Sequence, residues 1–201
     1  MNTPSSAPLL FLRSMLQNPR EVGALLPSSP GLAELIAAQV DPRSPAVLEI
    51  GAGTGPVTRA LLQRGVDPER LYVIERDPSL VNYLRRQFPG IHVRCADAAH
   101  AGKILSDASV GKAKTVISGI PLRNLSPGDR AQMVRAMMKA VAPGGQLIQF
   151  TYAIGCPIPN RRLGLHAECV GRVWANLPPA AVWRFTTKDT TRKSHAWHDK
   201  S

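Results

Sequence analysis

A chain of 201 residues makes one domain or slightly more, long enough to bury about 70% of the surface that its unfolded form exposes. Its 44% hydrophobic content includes no apolar run near the ~18 residues that cross a bilayer, and Arg13 breaks the N-terminal apolar stretch; neither a membrane span nor a signal peptide is expected, and the address is cytoplasmic. The formal charge of +11 sits almost wholly in residues 101–201, with fifteen Lys and Arg against five Asp and Glu, so a neutral or anionic partner surface is excluded less readily than a cationic one: nucleic acid and an anionic membrane both satisfy that charge.

In chain order, the first element is a short helix. Leu9, Phe11, Leu12, Met15 and Leu16 share one broad face of a helical wheel, Arg13, Ser14 and Gln17 occupy the other, and Leu10 stands among the polar residues. Ser5 or Ser6 caps it, Pro8 lies in its first turn and Asn18-Pro19 ends it. Its apolar face suits the domain's own core or a lipid interface, and the exposed Leu10 tilts the reading toward lipid. Residues 1–19 are thus expected to form a membrane-associating helix and residues 20–201 the main domain.

Strand-like runs then alternate with helical periods. The strands are "AVLEI" (46–50), "LYVIE" (71–75), "IHVRC" (91–95), "TVISG" (115–119) and "GQLIQFTY" (145–152), with "TRALLQRG", "PSLVNYLRRQF" and "PGDRAQMVRAMMKAVAPGG" between them as helices. This alternation predicts an α/β fold, a parallel sheet covered by helices on both faces. Asp77-Pro78 and Ser126-Pro127 read as N-caps followed by the first helical position, and Gly144-Gly145 as the close of the last helix. Beyond residue 156, "CVGRVWANLPPAAVWRF" reads as an antiparallel hairpin turned at Pro178-Pro179. Cys95, Cys156 and Cys169 lack CxxC spacing, so they predict neither a disulfide framework nor a zinc site; they are expected reduced and mostly packed.

Glu49-x-Gly51-x-Gly53-x-Gly55 lies where the first strand becomes a helix, the place where a doubly wound sheet binds nucleotide-like ligands. A dinucleotide fingerprint requires GxGxxG, whereas position 56 is proline, which argues against NAD. Glu75 ends the second strand about 20 residues on, where a carboxylate can take both ribose hydroxyls. Asp97 follows the third strand and can accept a hydrogen bond from an adenine amine.

With these three elements in register, the sequence resembles the S-adenosylmethionine-dependent methyltransferases of the seven-stranded, Rossmann-like class I kind, from about residue 20 to the C-terminus. The resemblance implies S-adenosylmethionine as cofactor, S-adenosylhomocysteine as product, and a cofactor site made of Ser28, Ser29, Glu49, Gly51, Ala52, Gly53, Gly55, Glu75, Arg76, Asp97, Ala98 and Ser118. Members of the family that methylate base amines carry Asn or Asp, prolines and an aromatic after the fourth strand. Here the stretch is "SGIPLRN", in which Ser118 to Leu122 include no acid, amide or ring, as suits an alkyl amine.

"FLRSMLQNPREVGALLPSSPGLAELIA", "SGIPLRNLSP" and "RVWANLPPAAVWRF" together resemble the soluble bacterial phospholipid N-methyltransferases, relatives of the rRNA adenine dimethyltransferases. That resemblance implies N-methylation of phosphatidylethanolamine toward phosphatidylcholine by a peripheral protein at the inner leaflet. The expected partners are the phospholipid and an anionic membrane surface, with no metal and no nucleic acid, and the expected state is a monomer. Substrate contacts fall on Ile120, Pro121 and Tyr152, with Tyr152 orienting the amine and offering a cation-π face. Arg161 and Arg162 are candidates to clamp the phosphate, and His166 to help accept the proton. The alternative is an RNA adenine-N6 methyltransferase, or a basic nucleic-acid-binding protein without activity.

Overall fold

The computed structural model describes residues 29–153, 155–175 and 179–187. The predicted N-terminal helix, including Leu9, Leu10, Phe11, Leu12, Arg13, Met15 and Leu16, lies outside them, as do Ser28 and Pro178. The elements are α1 (Pro30–Ala37), β1 (Val47–Ile50), α2 (Pro56–Gln63), β2 (Leu71–Glu75), α3 (Pro78–Gln87) and β3 (His92–Cys95), followed by α4 (Ala101–Asp107), β4 (Ala113–Ser118), α5 (Pro127–Lys139), β5 (Val141–Thr151), β6 (Leu165–Val173) and β7 (Ala180–Thr187).

They build one seven-stranded sheet in the order β3-β2-β1-β4-β5-β7-β6. The first five strands run parallel, and β7 and β6 close one side antiparallel. This is the expected α/β architecture of the Rossmann-like methyltransferases, hairpin included. Strand alternation sends neighbouring residues to opposite faces. Val47, Ile117 and Ile148 join the core beneath α1, α2 and α3, whereas Leu48, Val116 and Leu147 join the core beneath α4 and α5. Both faces are buried, which is why β1 reads as an apolar run interrupted only by Glu49.

The caps form as the sequence predicts. Asp77 accepts from the amides of Ser79 and Leu80 at 2.7 and 3.3 Å, and Ser126 accepts from the amide of Asp129 at 3.2 Å. Ser29 caps α1 in the same manner, accepting from Leu32 N at 3.3 Å. Gly144-Gly145 does not end the preceding helix, contrary to expectation. α5 stops at Lys139 with Ala140 as its C-cap, and both glycines lie within β5, where the register against β4 shifts. A Cβ on Gly145 would lie 2.6 Å from Lys114 O, so the irregular strand passes too close to its neighbour for any side chain. The cysteines also depart from expectation, because Cys95 and Cys169 are exposed on sheet margins and only Cys156 is half-buried.

Candidate active site

The strand order reverses between β1 and β4, whose carboxyl-end loops therefore diverge and leave a crevice. Gly51, Gly53 and Gly55 turn the chain there with φ of 73°, 58° and 80°. Gly55 is required twice over: its φ is left-handed, and a Cβ would collide with the Phe88 ring. Among the described residues nothing lies within 4 Å of a Cβ on Gly53, so that part of the loop is uncovered by them.

Two carboxylates brace this loop. Glu75, buried at the end of β2, accepts from Gly53 N at 3.0 Å through Oε2, and from Arg76 N and Asp77 N at 2.7 and 3.1 Å through Oε1. Three of about four acceptor positions are used, which leaves one on Oε2 for a ligand hydroxyl. Glu49 lies in β1 beneath α2, where Thr58 donates to its Oε2 at 2.6 Å. Burial pushes its pKa up to about 7; the Thr58 hydrogen bond pulls down and the Glu75 charge pushes up. Asp97 is exposed beyond β3, one oxygen accepting from Ala99 N at 2.8 Å and the rest facing outward; Ala98 behind it is buried, as is Ala52 in the loop. Parallel pairing of Glu75 with Cys95 puts these two acids on neighbouring strand ends. Ser118 is fully buried at the end of β4, its hydroxyl accepting from Ile120 N at 3.3 Å.

Gly119 ties the crevice to a second site. Its amide donates to Ile50 O at 2.8 Å, and a Cβ there would collide with the carbonyl oxygen of Gly51. Immediately beyond lies a cavity of about 220 Å³ at the ends of β4 and β5, bounded by Gly119 to Asn124, Gln149 to Ala153, and Pro157. Ile120, Pro121 and Tyr152 are among its lining residues. Phe150 and Tyr152 meet edge to face on its wall, ring centroids 5.9 Å apart.

Three expected substrate or catalytic residues are not part of this lining. Arg161 and Arg162 are exposed on the 3-10 turn Asn160–Leu163, because that turn faces solvent ahead of β6. His166 is exposed on β6, the strand at the sheet margin, where it pairs with Thr186. The cation on the cavity rim is Arg123, which lies in "SGIPLRN" without any local pattern that marks it as an anion site. Gln149 and Phe150 carry no such mark either, since alternation in β5 shows them only as a polar and an apolar strand residue. Among the described residues no group of three or more His, Cys, Asp or Glu side chains converges as a metal site, and no helix is long and apolar enough to cross a membrane.

Comparison with known proteins accords with this geometry. A model of the methyltransferase domain matches residues 47–145, from β1 through the start of β5. An ornithine lipid N-methyltransferase of Singulisphaera acidiphila is 31% identical over 147 residues, 71% of this chain and 76% of that protein. A TehB-like SAM-dependent methyltransferase of Corynebacterium glutamicum shares the fold, with a TM-score of 0.58 at 20% identity, covering 90% of this chain and 100% of that one. So does the magnesium protoporphyrin IX methyltransferase of Synechocystis crystallised with SAM, with a TM-score of 0.60 at 13% identity over 93% and 86% of the two chains. The residues present fit such a cofactor: a glycine loop left uncovered at Gly53 by the described residues, and acids at the ends of β2 and β3 with acceptor positions to spare. The chain belongs to the S-adenosylmethionine-dependent methyltransferases of class I, Rossmann-like fold, and S-adenosylmethionine is its cofactor.

Proposed function

We propose that the protein methylates the headgroup amine of a membrane aminolipid, either phosphatidylethanolamine and its mono- and dimethyl forms or an ornithine lipid, while bound peripherally at the cytoplasmic leaflet. The observation that carries this reading is the cavity beside the cofactor loop. It joins that loop through the Gly119–Gly51 contact, has an aromatic wall, and holds one cation, Arg123, on its rim. Both headgroups pair an alkyl amine with an anion, and both match a pocket with a cation at the mouth and aromatic faces inside. The substrate named for the Singulisphaera relative supports the same class. A planar base would instead call for an acid or amide and a stacking ring after β4, where the chain has Ser118 to Leu122.

Methyl transfer to nitrogen is an in-line displacement, so alignment at near-attack distance does most of the work. The cofactor, when bound, supplies an activated methyl group on a positively charged sulfur. The chain's own residues must deliver the amine uncharged. Loss of water in the cavity disfavours the ammonium form, as does any nearby positive charge, so a strong base is not needed. Gly51, Gly53, Gly55, Glu75 and Asp97 would hold the cofactor so that its methyl group would face the amine, and the methylated ammonium product would shed its proton to water before a further transfer. Arg123 takes the headgroup anion, the role the sequence suggested for Arg161 and Arg162. Residues 1–19 and the basic second half of the chain hold the protein to anionic lipid.

Labelled S-adenosylmethionine offered in parallel to phosphatidylethanolamine vesicles, ornithine-lipid vesicles and rRNA tests the proposal. Label in either lipid is the expected result; label in RNA, or in none of the three, overturns it. Removal of residues 1–17 is expected to reduce co-sedimentation with anionic vesicles, and undiminished binding refutes the membrane role of that segment.

A further inference from the structure

Among the described residues, none donates a hydrogen bond to the amide oxygen of Gln149. The side chain is 2% exposed, and its Nε2 donates to Ile120 O at 3.1 Å and Phe150 O at 2.8 Å, while Oε1 is buried. Exchanging oxygen and nitrogen does not cure this, because both neighbours are carbonyl acceptors and the end that faces them must be the NH₂. A buried, unsatisfied acceptor is costly enough to be rare in folded proteins. Gln149, Ile120 and Phe150 all bound the cavity, so the amide is clamped by the cavity's own lining.

We propose that Gln149 Oε1 is the acceptor for an N–H of the methyl-accepting amine, holding the nitrogen so that its lone pair is directed at the cofactor crevice; this rests on the aminolipid reading above. The oxygen is closed to water, so its donor arrives with the substrate as the lining side chains give way. Arg123 fixes the anionic end of the same headgroup at the rim. Together they define a site for a zwitterionic headgroup, in which Gln149 is a positioning residue for the nitrogen.

The consequence depends on how many N–H bonds the amine has left. A neutral primary amine has two and a monomethyl amine one, so each can bind Oε1 while its lone pair reacts. A dimethyl amine has none. Gln149 therefore assists the first and second transfers and is irrelevant to the third.

The test compares initial rates on vesicles of phosphatidylethanolamine, its N-methyl form and its N,N-dimethyl form, for the unaltered protein and Gln149→Met. The expected result is a loss of about tenfold in kcat/KM on the first two substrates and a change within about twofold on the third. Equal loss on all three overturns the proposal, because damage to packing does not distinguish amines; so does no loss on any. The same contrast is read in binding. Glycerophosphoethanolamine should bind the Met variant more weakly, and glycerophosphocholine, whose nitrogen has no N–H, should bind both proteins alike. Gln149→Leu serves the same comparison where the Met variant does not fold.

One neighbour needs its own control. Trp183 stands opposite Gln149 in the β5–β7 ladder, and its buried indole Nε1 also has no partner among the described residues. If Trp183 and not the amine is the donor to Oε1, Gln149→Met and Trp183→Phe will both lose activity equally on all three substrates, and that outcome overturns the proposal. Absence of methyl transfer to any aminolipid by the unaltered protein is a different result, which sinks the functional reading itself.

Discussion

Replacing Gly119 by alanine probes the link between cofactor loop and cavity at one atom. Gly119 does not have a positive φ, so alanine meets no backbone penalty and the effect is steric alone. The added methyl would overlap the Gly51 carbonyl oxygen and lie 3.4 Å from both Gly51 C and Ile50 O. These are backbone atoms, which cannot rotate away, so the β1 and β4 loops must part by about 1 Å to restore contact distance. Overpacking of this kind costs about 1–3 kcal/mol. At about 2–4 °C per kcal/mol for a chain of this length, a 2 kcal/mol cost lowers Tm by about 4–8 °C. The same parting stretches the 2.8 Å Gly119 N to Ile50 O hydrogen bond and displaces Gly51, so affinity for S-adenosylhomocysteine should fall about tenfold or more by calorimetry. Gly102→Ala in α4 is the control: nothing lies within 4 Å of its Cβ, and removing a helical glycine should be neutral or stabilising. A Gly119→Ala protein with Tm within about 1 °C and unchanged affinity would refute the coupling of the two loops.

Other expectations follow from the acids and the rim. Glu75→Ala strips an acceptor from the amides of Gly53, Arg76 and Asp77, and should reduce cofactor affinity by about tenfold or more and lower Tm; calorimetry and melting check both. Glu49 holds its proton up to about pH 7 in the folded chain but only to its ordinary 4.5 when unfolded, so the native state carries the extra proton between those values. Stability of the cofactor-free protein should therefore fall as pH rises from about 4.5 to about 7, by an order of ~1.4 kcal/mol per unit, and level off above; Glu49→Gln should flatten that slope in urea melts taken across the range. Arg123→Ala should raise KM for the aminolipid several-fold with a smaller effect on kcat. The double change Arg161→Ala and Arg162→Ala should leave KM within about twofold, and the reverse pattern would return the anion site to the 3-10 turn.

The order of elements was open to reading because the central strands β1, β2 and β4 are largely buried on both faces and each long helix announces itself. Asp77-Pro78 and Ser126-Pro127 combine a side-chain acceptor with a residue that needs no amide partner. Ser29-Pro30 carries the same signature at α1. α4 does not: it has seven residues, and His100 at its start makes no capping bond, so local sequence held little to find. The cofactor crevice was legible because its parts are set by chain position: glycines after β1, acids after β2 and β3. The acceptor side was legible only in part: Ile120, Pro121 and Tyr152 could be named, but the rest of the lining depends on which loops stand over the ends of β4 and β5. Two adjacent arginines near a strand looked like an anion clamp, but the fold turns Arg161 and Arg162 to solvent and brings Arg123 to the cavity. Gln149 gave no signal at all, because its importance lies in what its oxygen fails to touch.

The irregularity in β6 bears on how the molecule fares in a crowded solution. Register against β7 slips between Cys169 and Gly171, and a Cβ on Gly171 would lie 2.9 Å from Leu35, so the strand kinks inward where α1 presses on it. A straight outer strand offers a row of bare amides and carbonyls on which a second chain can crystallise into a fibril. A bent one breaks that template. At the opposite margin, exposed His92 and Arg94 put polar groups along β3. Both rims of the sheet are thus poor seeds for amyloid-like growth.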